Sequence, residues 1–418
     1  MYTLHGNFTT QTDFFRGNNV FDLLDEYGSP LYVYNEAILR KRCSEIKNLV
    51  TYENFVPHYS VKANTNIHLL KIIHEEGLHA DAMSPGEIYL ALQSGFKPEE
   101  LFFIPNNVTP EDMEYAISHG ILTSVDSLAQ LELYGRMNSG GKVAIRFNPG
   151  IGAGHHEKVI TAGKKTKFGI NPEHIPTVKA LLKQYDLTLV GVNQHIGSLF
   201  MDDEAYIEST KSILSIAKEF DDLEFIDLGG GFGIPYHKEE GEERLDLEAL
   251  GHKLDPILHK FVEEYGKKVQ FQIEPGRYIP CESGIILGTV TSLKDNSGVN
   301  YLGTDIGFNV LQRPIMYNSH HDLELYSTFT APPSPMKSFT VVGNICESGD
   351  ILAHNRMLPT PHIGDAIGVL DAGAYGFCMS SSYNQRPRTA EILIETNGHV
   401  KLIRKRETLE DLLRPMLV

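Results

Sequence analysis

No run of apolar residues in this chain approaches the roughly 20 needed to span a bilayer, which argues against a membrane role. Positive charge is also in short supply: 37 Lys and Arg against 54 Asp and Glu leave a formal charge of −17. That balance repels phosphate backbones and anionic lipid, and so excludes a role built on non-specific attraction to nucleic acid or a membrane surface. The cysteines Cys43, Cys281, Cys346 and Cys378 are scattered, with no C-x-x-C pair. This spacing opposes a disulfide framework or a structural zinc and suits a reducing compartment. The first residues, Met1 to Gly17, are polar and carry Asp13 and Arg16 where a signal peptide needs an apolar stretch. There is no low-complexity linker. What remains is a cytoplasmic protein of 418 residues, whose length suggests about two or three domains. Its expected partners are small molecules or copies of itself.

From about Tyr52 to Pro275 one unit recurs: a short apolar, β-branched run, a loop, then a helical pattern. The predicted strands are Phe55–Tyr59, His79–Met83, Leu101–Ile104, Leu122–Val125, Val143–Phe147, Thr188–Gln194, Leu223–Leu228 and Val269–Ile273. The clearest amphipathic stretch places Leu247, Leu250, Leu254, Leu258, Phe261 and Val262 on one face. Strands and helices alternating this many times indicate a parallel (β/α)8 TIM-type barrel rather than a doubly wound sheet. After Pro280 short strands separated by turn residues follow, with Asn397-Gly398 a strong hairpin signal. This half reads as an antiparallel β domain. The expected division is residues 1–36 as an N-terminal segment packing with the β domain, 37–282 as the barrel and 283–418 as the β domain.

In such barrels the working residues lie at the C-terminal ends of strands. Four unusual segments fall there: Tyr59–Asn64, Gln194–Ser198, Asp227–Gly233 and Glu274–Arg277. Lys62 follows an apolar strand, and a desolvated amine forms a Schiff base with a carbonyl; a surface lysine in a βα loop is the alternative. Three glycines, Gly229 to Gly231, let backbone N–H groups approach a phosphate, although a tight turn would use them too. The run fails the dinucleotide pattern, because Ile234 stands where a third glycine is needed, and Gly163-Lys164-Lys165-Thr166 fails the P-loop ending. Glu274 could hold a heteroaromatic nitrogen protonated and Arg277 could fork onto a carboxylate, or the two form a structural ion pair. His195 is either a ring-sized cover for a cofactor or a satisfied core histidine. No metal site is expected. His155-His156 and His320-His321 are adjacent pairs whose side chains diverge, and no His-Glu-x-x-His occurs. Nor does a Gly-x-Ser-x-Gly elbow support serine hydrolysis. Taken together, the lysine, the glycine cradle, the acid and the histidine suit pyridoxal phosphate.

With these motifs the chain resembles the alanine-racemase-like, ornithine/diaminopimelate group of pyridoxal-phosphate decarboxylases over nearly its whole length, and most of all the diaminopimelate branch. The resemblance rests on Tyr59–Asn64, Asp81–Glu87, His195–Ser198, Gly229–Gly231, Glu274–Arg277, Cys346–Asp350 and Ala372–Gly376. It implies that Lys62 carries the cofactor, that His195 stacks on its ring and that Glu274 pairs with the ring nitrogen. It gives the phosphate to Ser198, Gly231, Gly276 and Tyr375, and sets Asp81, Gly230 and Arg277 along the cofactor. Arg277, Arg313, Tyr317 and Tyr375 would meet the substrate, Glu347 would take a distal ammonium, and Cys346 would return a proton. In the group Cys346 and Glu347 come from the partner subunit, so a homodimer with shared active sites is implied. The activity implied is decarboxylation of meso-2,6-diaminopimelate to L-lysine and CO2. The alternative is a decarboxylase of another basic amino acid: ornithine, lysine, arginine or carboxynorspermidine. Asn344 and Leu199 depart from the group's usual proline and glutamine. The glycines between Gly150 and Gly169 suggest a lid.

Overall fold

The computed structural model describes residues 2–150, 167–329 and 334–418. Two compact units divide the chain: Arg40–Ile234 with Arg244–Ile279, and Met1–Leu39 with Pro235–Glu243 and Pro280–Val418. Strands β1 (Tyr2–His5) and β2 (Leu31–Asn35) belong to the second unit. The first unit holds β3 (Phe55–Ser60), β4 (His79–Ala82), β5 (Leu101–Phe103) and β6 (Leu122–Val125), followed by β7 (Lys142–Arg146), β8 (Thr188–Asn193), β9 (Phe225–Gly230) and β10 (Gln270–Glu274). These eight close into a barrel in which β10 returns to β3, setting Phe271 beside Phe55 in a parallel pair. The expected barrel is therefore present, with its strands where the apolar runs placed them.

Local chemistry explains the alternation. Ser84 caps the helix Pro85–Gln93 by accepting from the Glu87 N–H at 3.3 Å, while the Glu87 carboxylate accepts from the Met83 N–H at 2.7 Å. This satisfies donors that a helix start otherwise leaves open. Asn66, Thr109, Ser127 and Asp246 cap other barrel helices in the same way. The barrel interior is plugged by Phe102, Ile104, Ala144, Val190 and Phe225, with Phe102 edge-on to Phe225 at 5.4 Å. Gly191 makes room for this plug: a Cβ there would lie 2.1 Å from the Phe225 ring.

The second unit continues with β11 (Gly284–Asn296), β12 (Val299–Thr304), β13 (Leu323–Ser327) and β14 (Met336–Val342), then β15 (Ile351–Pro359), β16 (Ala366–Val369), β17 (Ala390–Ile394) and β18 (Val400–Arg404). The strands run β1-β13-β16-β11-β12-β14-β15, and β2 joins β11 to β17. Pairings are antiparallel as expected, except that β12 with β14 and β2 with β17 are parallel. Asn397-Gly398 forms the β17–β18 hairpin, with Gly398 at φ +87°. The N-terminal segment supplies Phe14, Phe15, Leu31 and Val33 to a core completed by Ile285, Leu287, Tyr326 and Ile392. Among the described residues no helix is long and apolar enough to cross a membrane.

Candidate active site

Beyond the apolar plug, the C-terminal ends of the barrel strands carry buried charge. Lys62 lies in a short turn, Val61–Ala63, directly after β3. Asp81 on β4 is fully buried and accepts from the Ser60 hydroxyl at 2.6 Å, while the Ser60 N–H donates to the Pro275 carbonyl at 3.1 Å. Burial, and then the charge of Glu274, push the Asp81 carboxyl well above the usual range, with Lys62 pulling the other way. Glu274 ends β10 with 4% exposure. Burial opposes its ionisation, but the hydrogen bond and charge of His195, helped by Asp227 and Lys62, outweigh it and hold the carboxyl below the usual range. His195 Nδ1 lies 3.2 Å from Glu274 Oε2. The Gly230 N–H also points at Nδ1, at 3.3 Å, yet one nitrogen cannot both donate and accept. Burial lowers the His195 pKa, with Glu274 opposing, and the Nδ1 hydrogen goes to the stronger acceptor, the carboxylate.

The glycine run lies against the Gly197–Phe200 loop. Phe200 N–H donates to Gly231 O and Gly233 N–H to Phe200 O, each at 3.0 Å. A Cβ on Gly229 would stand 2.3 Å from Gln194 O, and one on Gly230 1.9 Å from Glu274 O. Gly231, at φ +112°, would bring a Cβ within 2.7 Å of Gly197 O. Arg277 Nη2 donates to Ser198 Oγ at 2.9 Å on the same side. Tyr206 braces the loops from behind, donating to Gly229 O at 3.1 Å and stacking on Phe200 at 4.9 Å. Leu199, the departure noted above, sits in the loop at φ +66°, a conformation that costs a branched side chain on the order of 1 kcal/mol or more. Gly276 lies on the turn directly after Glu274 and Pro275.

The barrel unit thus brings together Lys62, Asp81, His195, Ser198, Gly230, Gly231, Glu274, Gly276 and Arg277. The remaining predicted residues belong to the second unit. Arg313 is 1% exposed, on the short helix Arg313–Tyr317; it donates to Ser319 Oγ at 3.1 Å and lies over the Tyr236 ring at 5.4 Å. Tyr375 lies in the bend after β16, at φ +56°. Cys346 and Glu347 are exposed on the loop that Asp350 closes. Of the histidine pairs, His155 and His156 lie outside the described residues, as do Gly152, Gly154 and Gly163 of the expected lid. His320 meets His237 and Glu240, with candidate ligand atoms within 4.8 Å of one another. The Arg356 guanidinium lies 2.8 Å from both His320 ring nitrogens and Asp322 Oδ1 lies 2.7 Å from Nε2, so both ring nitrogens are already engaged by protein groups.

Sequence reasoning assigned no role to Arg146, nor to Asp227 beyond its place at the head of the Asp227–Gly233 segment. Arg146 ends β7 and Asp227 lies within β9; both are buried, and each carries an atom (Arg146 Nη2 and Asp227 Oδ2) with no hydrogen-bond partner among the described residues. Burial, then Glu274, raise the Asp227 carboxyl well above its usual range, while Glu274 is held below its own. The signal was there to read: a charge inside an apolar parallel strand is rarely accidental.

The donor set fits a phosphorylated heteroaromatic cofactor. Glu274 Oε1 is buried without a hydrogen-bond partner among the described residues, and an ionised carboxylate there suits a protonated ring nitrogen. The cradle, with Ser198 and Arg277, suits a phosphate, and Lys62 suits its aldehyde. Fold and site together define a barrel enzyme of the pyridoxal-phosphate class. Comparison with known proteins narrows the class. The pyridoxal-binding domain of the pyridoxal-dependent decarboxylases matches residues 36–281. The diaminopimelate decarboxylase of Methanothermobacter thermautotrophicus is 39% identical over 407 residues, 95% of this chain and 94% of that one. The Escherichia coli enzyme is 33% identical, with 98% of each chain covered. The crystal structure of the Helicobacter pylori diaminopimelate decarboxylase complexed with L-lysine superposes with a TM-score of 0.87 at 30% identity, covering 95% of this chain and 99% of that one. The chain belongs to the diaminopimelate decarboxylase family.

Proposed function

We infer that the protein converts meso-2,6-diaminopimelate to L-lysine and CO2 with pyridoxal 5′-phosphate as its cofactor. One C–C bond breaks, its electron pair stays on the α-carbon, and a proton replaces the carboxyl group. The bound cofactor supplies the electron sink for that pair. The chain's own groups hold and complement it. Lys62 anchors the cofactor, and the Gly229–Gly231 cradle with Ser198, Gly276 and Tyr375 takes its phosphate. His195 covers the ring, while Glu274 keeps a negative charge at the ring nitrogen. Asp81, Gly230 and Arg277 line the same mouth.

Diaminopimelate carries an amino-acid group at each end, so selectivity requires charge complementary to a distal zwitterion. Arg277 and Arg313, with Tyr317 and Tyr375, serve the distal carboxylate, and Glu347 the distal ammonium. Cys346 returns the proton. Cys346 and Glu347 are exposed on a single chain, which suits delivery to the site of a second copy, and the working unit is a homodimer with shared active sites. The observation that carries the cofactor chemistry is the buried Glu274, its carboxyl held below the usual range, at the mouth shared by the glycine cradle and the Lys62 turn.

The test is turnover of meso-diaminopimelate, L-ornithine, L-lysine and L-arginine in parallel, with products read by mass spectrometry. Lysine formed from diaminopimelate alone is the expected result. Turnover of another amino acid instead keeps the cofactor assignment and refutes the zwitterion reading of Arg277, Arg313 and Glu347. In Lys62→Ala the covalent cofactor absorbance disappears; if it persists, Lys62 is not the anchor.

A further inference from the structure

The loop that presents Cys346 and Glu347 is built before it is aimed. Asp350 accepts from the Phe308 N–H through Oδ1 and from the Ile345 N–H through Oδ2, both at 2.7 Å. Its own N–H returns to Glu347 O at 3.0 Å. Gly343 lets this loop close on its neighbour, since a Cβ there would lie 2.4 Å from Gly307 Cα. Cys346 and Glu347 remain exposed, so burial by the loop itself does not orient them.

A second segment reaches them. The Tyr383 hydroxyl donates to Glu347 Oε1, and the Tyr383 ring stacks on Phe308 at 5.5 Å with a 23° interplanar angle. Asn384 Oδ1 accepts from the Cys346 N–H at 3.2 Å. Arg386 Nη2 donates to Asn344 O at 3.0 Å. Asn384 and Gln385 stand at φ +55° and +52°. Two consecutive non-glycine residues in the left-handed region are costly, and such conformations persist where surrounding contacts demand them.

We propose that Tyr383 and Asn384 are positioning residues for the pair Glu347 and Cys346. Tyr383 fixes the Glu347 carboxylate for the substrate's distal ammonium, and Asn384 fixes the backbone that carries the Cys346 thiol. The proposal rests on the roles given above to Glu347 and Cys346. It assigns the two neighbours to different kinetic parameters. A carboxylate held equally for ground and transition state acts on binding, whereas a proton donor acts on turnover.

Steady-state kinetics of the cofactor-loaded full-length enzyme test it. Tyr383→Phe removes one oxygen and raises KM for meso-diaminopimelate about five- to tenfold, with kcat nearly unchanged. Asn384→Gly keeps the left-handed backbone and loses the acceptor, lowering kcat several-fold with little change in KM. Asn384→Asp restores the acceptor and recovers kcat. In the Glu347→Gln background, Tyr383→Phe adds little, because its partner is already neutralised. If Glu347→Gln raises KM while Tyr383→Phe leaves it at the wild-type value, positioning by Tyr383 is overturned and the role of Glu347 stands. If Glu347→Gln itself leaves KM unchanged, the distal-ammonium reading falls, and the proposal falls with it. Equal effects of Tyr383→Phe and Asn384→Gly on both parameters would mark the segment as merely structural.

Discussion

Gly230→Ala is the sharpest perturbation of the cofactor site that a single methyl group can make. Gly230 pairs with Glu274 across the β9–β10 seam. A Cβ there would stand 1.9 Å from the Glu274 carbonyl oxygen and 2.8 Å from its carbon, against ordinary contacts beginning at 3.4 Å. The seam must therefore open by about 1.5 Å, and both contacts are backbone, so no rotamer change absorbs the strain. Overpacking of this kind costs about 1–3 kcal/mol, and the upper end applies to an unyielding backbone. The functional loss is larger. Glu274 carries the charge assigned to the ring nitrogen, and a misplacement of order 1 Å costs on the order of 10²-fold in rate. Cofactor titration by absorbance, kcat/KM for diaminopimelate and thermal unfolding would be measured together. The expected outcome is weakened cofactor binding, a loss of about 10²-fold in kcat/KM and a moderately lowered melting temperature. Gly241→Ala is the control: its φ of +82° strains any side chain, but nothing lies within 4 Å, so it lowers stability alone. Wild-type cofactor affinity and turnover in Gly230→Ala would refute the argument.

Further outcomes follow from the buried charges. Lys238 Nζ lies 2.6 Å from Asp371 Oδ2 and 3.5 Å from Glu282 Oε1, both carboxylates being fully buried. Lys238→Met leaves them uncompensated and costs about 3–5 kcal/mol in a denaturant titration at pH 8; an unchanged midpoint would contradict the triad. Asp371 is pushed up to about 7, first by burial and then by Glu282, with Lys238 opposing. Its folded pKa exceeds its unfolded one, so the native state holds a proton that the unfolded chain releases. The stabilisation is full below about pH 4 and lost as pH rises to about 7. Asp371→Asn should flatten that part of the stability–pH curve, and an unaltered slope would show that Asp371 does not titrate there. Glu274→Gln keeps the shape and loses the charge. Cofactor should still bind, with kcat lowered by about 10²-fold, and a rate near wild type would remove Glu274 from the ring nitrogen.

Much of the barrel was legible because its signals are local. Each strand is buried on both faces, so it reads as an apolar run, and each helix start needs a capping side chain such as Ser84 or Ser127. Lys62, His195, Gly229–Gly231 and Glu274 were legible as a site because all stand at strand ends. Arg146 and Asp227 received no role because their meaning depends on neighbours across the barrel. Asp227 is an acid whose carboxyl is raised in part by Glu274, a fact held in the β9–β10 pairing and not in either strand. The parallel pairing of β12 with β14 and of β2 with β17 was equally hidden, since hydrophobic alternation carries no strand direction. Tyr383 and Asn384 gave no signal for a similar reason: they act through a loop some forty residues earlier in the chain.

The sequence by itself determined the barrel and, through resemblance, the cofactor and reaction. These follow from periodicity, composition and residues whose chemistry is nearly independent of partners. Only the tertiary structure decided protonation and close approach. It shows why burial and neighbouring charge push Asp81 and Asp227 up and Glu274 down, why Gly230 tolerates no Cβ and which side chains hold the Cys346–Glu347 loop. Burial, Coulomb interaction and van der Waals contact act through space between residues far apart in the chain, and their balance exists only once the chain has folded.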